Sequence, residues 1–189
     1  MTQPRWQPYV LFKSAIPPTM CEVIIKLHDQ LAYTSAGVLD DGKTITSRVR
    51  NVEIQGSEIQ WLNAMLIGYT RIANHMNFRY DLTDDDKERL QFSKYEKGMY
   101  FHNHMDYDGS PDTPAYTRKL SVTVQLSDPN TYEGGKLILH NCNLSSLTCP
   151  VDQGTIMIFD SRWFHRVKPV TSGVRYSLVK WVHGDTPLK

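Results

Sequence analysis

The sequence predicts a mainly β fold, a sandwich or barrel with flanking helices, and three observations carry that expectation. From Leu90 onward, short runs rich in β-branched and aromatic residues alternate with clusters of Gly, Pro, Asn and Asp, the pattern of successive strands and turns. One run, KLSVTVQL at 119–126, alternates strictly: Leu120, Val122, Val124 and Leu126 share one face, while Ser121, Thr123 and Gln125 share the other. Helical spacing is confined to the first 80 residues, so the helices are expected to buttress a sheet rather than to form a domain of their own.

In chain order, the first helix is expected after Pro17 and Pro18, with Thr19 as its cap and Val23, Ile24, Leu27 and Leu31 on its apolar side. A turn at Asp40, Asp41 and Gly42 leads into TITSRVRNVEI (44–54), whose β-branched residues predict a strand. A second helix begins near Ser57 and aligns Ile59, Leu62, Leu66, Tyr69, Ala73 and Met76 for packing. Asp84, Asp85 and Asp86 mark a solvated turn. The strands that follow are LQFSKY (90–95), KLSVTVQL, GKLILH (135–140), TIMIF (155–159) and VRYSLVKWV (174–182). The last of these alternates, with Arg175, Ser177 and Trp181 on one face and Tyr176, Leu178 and Val182 on the other. No repeat or linker interrupts the chain, so residues 1–189 read as one domain: helical support over about 1–88 and a β core over about 89–184.

Composition narrows the function classes. The 189 residues are 40% hydrophobic and 22% charged, which is globular rather than disordered. A net charge of +1 gives no general field that would recruit nucleic acid or an anionic membrane. No apolar run approaches the roughly 18 residues of a spanning helix, and MTQPRWQPYVLF lacks the apolar region of a signal peptide, so a soluble, cytoplasmic protein is expected. Cys21, Cys142 and Cys149 make an odd set with no CxxC, which suits reduced thiols better than disulfides or a zinc cluster.

The stretches that could carry chemistry are YEKGMYFHNHMD and, far downstream, DSRWFHRVKPVTSGVRYSLVKW. Alternate residues of a strand share a face, so His104 and Asp106 can point together while Met105 points away. His165 from another strand would complete two imidazoles and a carboxylate on one face of a metal. That set favours non-haem Fe(II) with positions left open for substrates, although Mn or Zn could use the same ligands. Arg175 strengthens the reading: its guanidinium is always charged and grips a carboxylate with two parallel hydrogen bonds, so on a cavity wall it needs an anion.

With Tyr95 ahead of the HxD motif at 104–106, YEGG at 132–135, GTIMIFDSRWFH ending in His165 and PVTSGVR ending in Arg175, the chain resembles the iron and 2-oxoglutarate dependent dioxygenases of the prolyl 4-hydroxylase-like branch. The match runs from about Gln91 to Val182. The resemblance implies a double-stranded β-helix, a jelly roll related to the cupins, with helices packed outside. It implies that His104, Asp106 and His165 bind Fe(II) as the catalytic centre, and that Tyr95 and Arg175 hold the distal carboxylate of 2-oxoglutarate. Thr123, Gln125, Leu137 and Val167 would line that pocket, and Tyr107 and Trp181 would meet the substrate. Such enzymes use O2, with ascorbate as a supporting reductant, to hydroxylate the substrate while 2-oxoglutarate decarboxylates to succinate. The expected substrate is a prolyl residue in a peptide or protein.

Two other readings fit the same residues: a cupin-like Zn or Mn hydrolase or isomerase with Arg175 on an acidic substrate, and a jelly-roll binding module with no catalysis. His102 could form an HxH pair with His104, but the family pattern selects His104. His28, His75, His140 and His183 have no spacing partner. Tyr100 and Trp163 read as packing, and Gly134 and Gly135 as turn residues. YDGSPDTPAY (107–116) reads as a surface loop or as a lid over substrate.

Overall fold

The computed structural model describes residues 7–29, 60–83, 88–107, 117–140 and 146–184, together with short strands at 34–35, 38–40, 43–45 and 50–54. In chain order the elements are β1 (Tyr9–Phe12), α1 (Pro18–Asp29), β2 (Thr34–Ser35), β3 (Val38–Asp40), β4 (Lys43–Ile45), β5 (Arg50–Ile54), α2 (Gln60–Ala73) and a π-helical turn (Asn74–Phe78). Then come β6 (Leu90–Tyr95), β7 (Phe101–His104), β8 (Thr117–Gln125), β9 (Tyr132–Gly134), β10 (Leu137–His140), β11 (Ser146–Thr148), β12 (Ile156–Asp160), β13 (Phe164–Val167), β14 (Val170–Gly173) and β15 (Arg175–Gly184).

The strands form a seven-stranded sheet in the order β1-β12-β8-β15-β6-β5-β2 and a four-stranded sheet in the order β11-β10-β13-β7, all pairs antiparallel. Alternation along β8 decides how these layers stack. Leu120, Val122 and Val124, with Leu126 just beyond the strand, pack with Ile24 of α1 and Leu62, Leu66 and Ala73 of α2, so one face of the large sheet is sealed by the helices. Its other face meets the small sheet through two apolar clusters. Leu139 and Cys149 pack on Met157 and Phe159, and Val167 packs with Tyr95 and Val170. Between these clusters lies the polar row of β8. The jelly roll with outer helices is thus the observed architecture.

Both helices depart from their expected faces. In α1, Pro18 occupies the first helical position, where its missing N–H costs nothing, and Thr19 lies inside the helix rather than capping it. Cys21 and Ile24 are buried, whereas Val23 and Leu27 are exposed. Leu31 lies outside the described residues. In α2 the expected stripe holds through Leu62, Leu66 and Ala73, but the π turn adds a residue to the next winding. Phe78 is therefore buried in place of Met76, which is 64% exposed. Ser57 and Ile59 are outside the described residues, as are Asp84–Asp86. The single strand expected over 44–54 is two: β4 pairs with β3 in a ribbon, while β5 joins the large sheet beside β6.

Candidate active site

The site grows from the ends of three strands. His104 closes β7, and its Cα partner across the small sheet is His165 of β13. Their ring centroids lie 4.2 Å apart. Asp106 does not continue β7 as the alternation argument expected. It sits in a bend just past the strand, where its amide donates to the carbonyl of Ser161 at 3.0 Å and the next amide, that of Tyr107, donates to the same oxygen at 2.9 Å. This turn, not the strand pleat, brings the carboxylate beside the imidazoles. Asp106 Oδ1 lies 3.4 Å from His104 Nε2, and Oδ2 lies 3.4 Å from His165 Nε2.

Backbone carbonyls fix both tautomers. His104 Nδ1 lies 2.8 Å from the carbonyl oxygen of His102, and His165 Nδ1 lies 3.0 Å from that of Trp163. A carbonyl only accepts, so each Nδ1 carries a proton, and Nε2 is the atom each imidazole offers to a ligand. Burial lowers the pKa of His165 and holds it neutral, the form a metal requires. Burial also works to raise Asp106, but His165 and His104, whenever their imidazoles are protonated, and the Ser121 hydroxyl outweigh it and hold the carboxyl well below its usual range. Two imidazoles and a carboxylate, with ligand atoms all within 4.8 Å of one another, fit one divalent cation of the Fe(II) type. His102 stays outside this set: it is exposed, and its ring meets Tyr100 edge-on at 4.9 Å.

A cleft opens between the sheets, lined by Thr123, Gln125, Leu137, Cys149, Met157 and Arg175 among others. Thr123 follows Ser121 by two residues on the same face of β8, a step of roughly 7 Å, so the cleft begins next to the group that touches Asp106. Arg175 is 4% exposed. Its Nη1 donates to Ser177 Oγ at 3.3 Å, and its guanidinium lies 5.2 Å from the Tyr95 ring centroid. Among the described residues no carboxylate pairs with it, which leaves a buried cation facing the cleft. Gly135, at φ +57°, makes room: a Cβ there would come within 2.9 Å of Arg175 Cδ and 3.0 Å of Val170 Cγ2. Burial pushes the Cys149 thiol up to about 12, so it is an inert wall.

The remaining expected residues scatter around this core. Val167 packs with Tyr95 and stands across from Leu137, behind the cleft rather than on its surface. Gln125 donates to the Tyr132 hydroxyl at 2.9 Å. Trp181 is the cross-strand partner of Ser121, and the guanidinium of Arg118 covers its ring at 4.0 Å. Most of the loop expected at 107–116 lies outside the described residues.

Several groups escaped the sequence reading. Glu88 accepts from Arg118 Nε at 2.7 Å and Nη2 at 2.8 Å and lies 3.0 Å from His183 Nε2, so His183 does have a partner. Ser121 and Ser161, both buried, support Asp106. Asp160 binds Arg162 through Nε at 2.9 Å and also accepts from the Tyr80 hydroxyl, pinning the turn that carries Ser161. Only Ser121 left a signal, as a polar residue on the cavity face of an alternating strand.

Fold and site together define a jelly-roll metalloprotein with a two-histidine, one-carboxylate face and a buried arginine in the adjoining cleft. Residues 90–183 match the 2OG-Fe(II) oxygenase superfamily. A PKHD-type hydroxylase of Gloeothece citriformis is 34% identical over 169 residues, covering 89% of this chain and 75% of that protein. The chain belongs to the 2OG-Fe(II) oxygenase superfamily. Another PKHD-type hydroxylase, from Crocosphaera subtropica, is 30% identical over 126 residues, which is 67% of this chain but 55% of the relative. The match thus spans little more than half of that relative's length. Among solved structures, a prolyl-4-hydroxylase of Pseudomonas putida superposes with a TM-score of 0.71 at 17% identity, covering 95% of this chain and 94% of the other. A prolyl hydroxylase of Trichoplax adhaerens, in complex with a hypoxia inducible factor peptide fragment, gives 0.72 at 16% identity, covering 93% and 83%. These likenesses carry the fold.

Proposed function

We propose that the chain is an Fe(II)- and 2-oxoglutarate-dependent hydroxylase acting on a prolyl residue of a peptide or protein. The observation that carries this reading is a buried guanidinium without a described carboxylate partner, in the cleft beside three converged metal donors. His104, Asp106 and His165 would hold the metal on one face and leave its other positions open toward the cleft. Arg175, with Tyr95 and Ser177 beside it, would seat the distal carboxylate of 2-oxoglutarate by charge-assisted hydrogen bonds. Thr123, Gln125 and Leu137 would form the wall, and Val167 would back it. Bound Fe(II) supplies the oxidative chemistry, coupling decarboxylation of 2-oxoglutarate to succinate with transfer of one oxygen atom from O2 to substrate. The protein's part is to orient the three reactants and keep bulk water out.

Tyr107 and the plate formed by Trp181 and Arg118 are the substrate side. The Arg118 charge is already met by Glu88, so this wall suits a neutral peptide better than an anion. The Trichoplax neighbour, a prolyl hydroxylase in complex with a peptide fragment, supports a prolyl target, and the PKHD-type relatives support a hydroxylase. The donor set and family membership favour this over a Zn or Mn hydrolase. The test is incubation with Fe(II), 2-oxoglutarate, ascorbate and a library of proline-containing peptides. Stoichiometric succinate and a product heavier by one oxygen atom are expected; absence of succinate with every peptide would overturn the proposal.

A further inference from the structure

Asp106 is held through one oxygen by a chain of two hydroxyls that the metal does not need in order to find three ligands. Its Oδ2 accepts from Ser121 Oγ at 2.7 Å, and Ser121 Oγ lies 2.9 Å from Ser161 Oγ. Both serines are essentially sealed from solvent, at 1% and 0% exposure. A carboxylate bound to a metal has no proton to give, so the one hydroxyl proton of Ser121 must go to Asp106. Ser161 must then be the donor to Ser121. The direction of the whole chain is fixed: Ser161 to Ser121 to Asp106 Oδ2.

The backbone of Ser161 reinforces the same point. Its carbonyl accepts the amides of Asp106 and Tyr107, and its own amide donates to the carbonyl of Lys119 at 3.0 Å. The residue therefore ties β8, the end of β12 and the Asp106 bend into one unit. Each carboxylate oxygen faces one imidazole Nε2 at 3.4 Å, Oδ1 that of His104 and Oδ2 that of His165, but among the described residues a hydroxyl engages Oδ2 alone.

We propose that Ser121 is a positioning residue that makes Asp106 a one-oxygen ligand: it detains Oδ2, leaves Oδ1 for the metal, and so keeps open a coordination position that a chelating carboxylate would close. This rests on the reading of His104, Asp106 and His165 as the metal site. A partner that orients a ligating group typically changes metal affinity by about 10- to 100-fold when it is removed. Ser161 acts one step further back, so its loss should weaken the effect without abolishing it.

The experiment is anaerobic titration with Co(II), followed by visible absorption, of the wild-type chain and of Ser121→Ala, Ser121→Thr, Ser161→Ala and His104→Ala, with thermal melts of the metal-free proteins as the folding check. Wild type should bind one Co(II), and His104→Ala should not. Ser121→Ala should bind at least about 10-fold more weakly, with an altered ligand-field spectrum, Ser161→Ala should fall between, and Ser121→Thr, which restores the hydroxyl, should recover affinity. Should Ser121→Ala melt far below the wild type, the comparison of Ser121→Thr with Ser161→Ala decides instead: equal affinity and spectra in both would overturn the proposal. A folded Ser121→Ala with wild-type affinity and spectrum would overturn it while leaving the metal site standing. Failure of the wild type itself to bind would remove the metal reading, and the role of Ser121 with it.

Discussion

Glu88 shows how single residues set this site from behind. It holds Arg118 by two short hydrogen bonds and lies against His183, so the guanidinium stays over the Trp181 ring. Burial works to raise its carboxyl, but His183 and Arg118 prevail and lower it. A depressed folded pKa stabilises the protein above the unfolded value, near 4.3 for Glu, and that contribution fades as pH falls through the folded value. Glu88→Gln is accordingly expected to cost about 2 kcal/mol at pH 7, the scale of hydrogen bonds to a charged group, with a smaller gap at pH 4. Urea unfolding at the two pH values checks this, and an equal gap at both would contradict it. None of this pairing was legible in the sequence. Glu88 and His183 are distant, and no motif marks a structural ion pair, whereas the spacing of His104 and Asp106 and the run before His165 announced themselves.

At the scale of elements, alternation was the dependable signal. Along β8 it separated the helix-facing Leu120, Val122 and Val124 from the site-facing Ser121, Thr123 and Gln125, because a pleated strand leaves only two directions for a side chain. Helical periodicity said less. In α1 the apolar residues span a wide arc, so spacing alone could not choose Cys21 and Ile24 over Val23 and Leu27, and nothing local forecast the π turn that exposes Met76. Asp106 reached the site through a bend secured by Ser161, a contact from the far end of β12. The β9–β14 ribbon carries its own test. Gly135 adopts a left-handed φ against the Arg175 side chain, so Gly135→Ala meets both backbone strain and a contact tighter than real Cβ atoms show. The expected result is a KM for 2-oxoglutarate raised several-fold with kcat changed less. An unaltered KM would mean that the ribbon does not position Arg175.

For the molecule as a whole, the layers divide the work. The helices and one face of the large sheet make the apolar core, and the space between the sheets holds the donors and the cleft. No helix of the described residues is long and apolar enough to cross a membrane. Among the same residues Cys21 and Cys149 are free thiols, as the odd cysteine count suggested, while Cys142 lies outside them. The division was foreseeable in outline because the resemblance and the strand pattern agreed. What joins the cleft to the donors, the row Ser121, Thr123 and Gln125 beside Trp181, Val179 and Ser177, needed the folded register. The measurement that bears on it most directly is anaerobic calorimetric titration of 2-oxoglutarate into the Mn(II)-loaded chain, into the metal-free chain, and into Mn(II)-loaded Arg175→Met and His165→Ala. Binding should require the metal, vanish in His165→Ala and weaken at least about 30-fold in Arg175→Met, the scale for truncating one side of a buried charge pair. Equal affinity with and without Mn(II), or in Arg175→Met and wild type, would contradict a shared metal and guanidinium seat for the dicarboxylate.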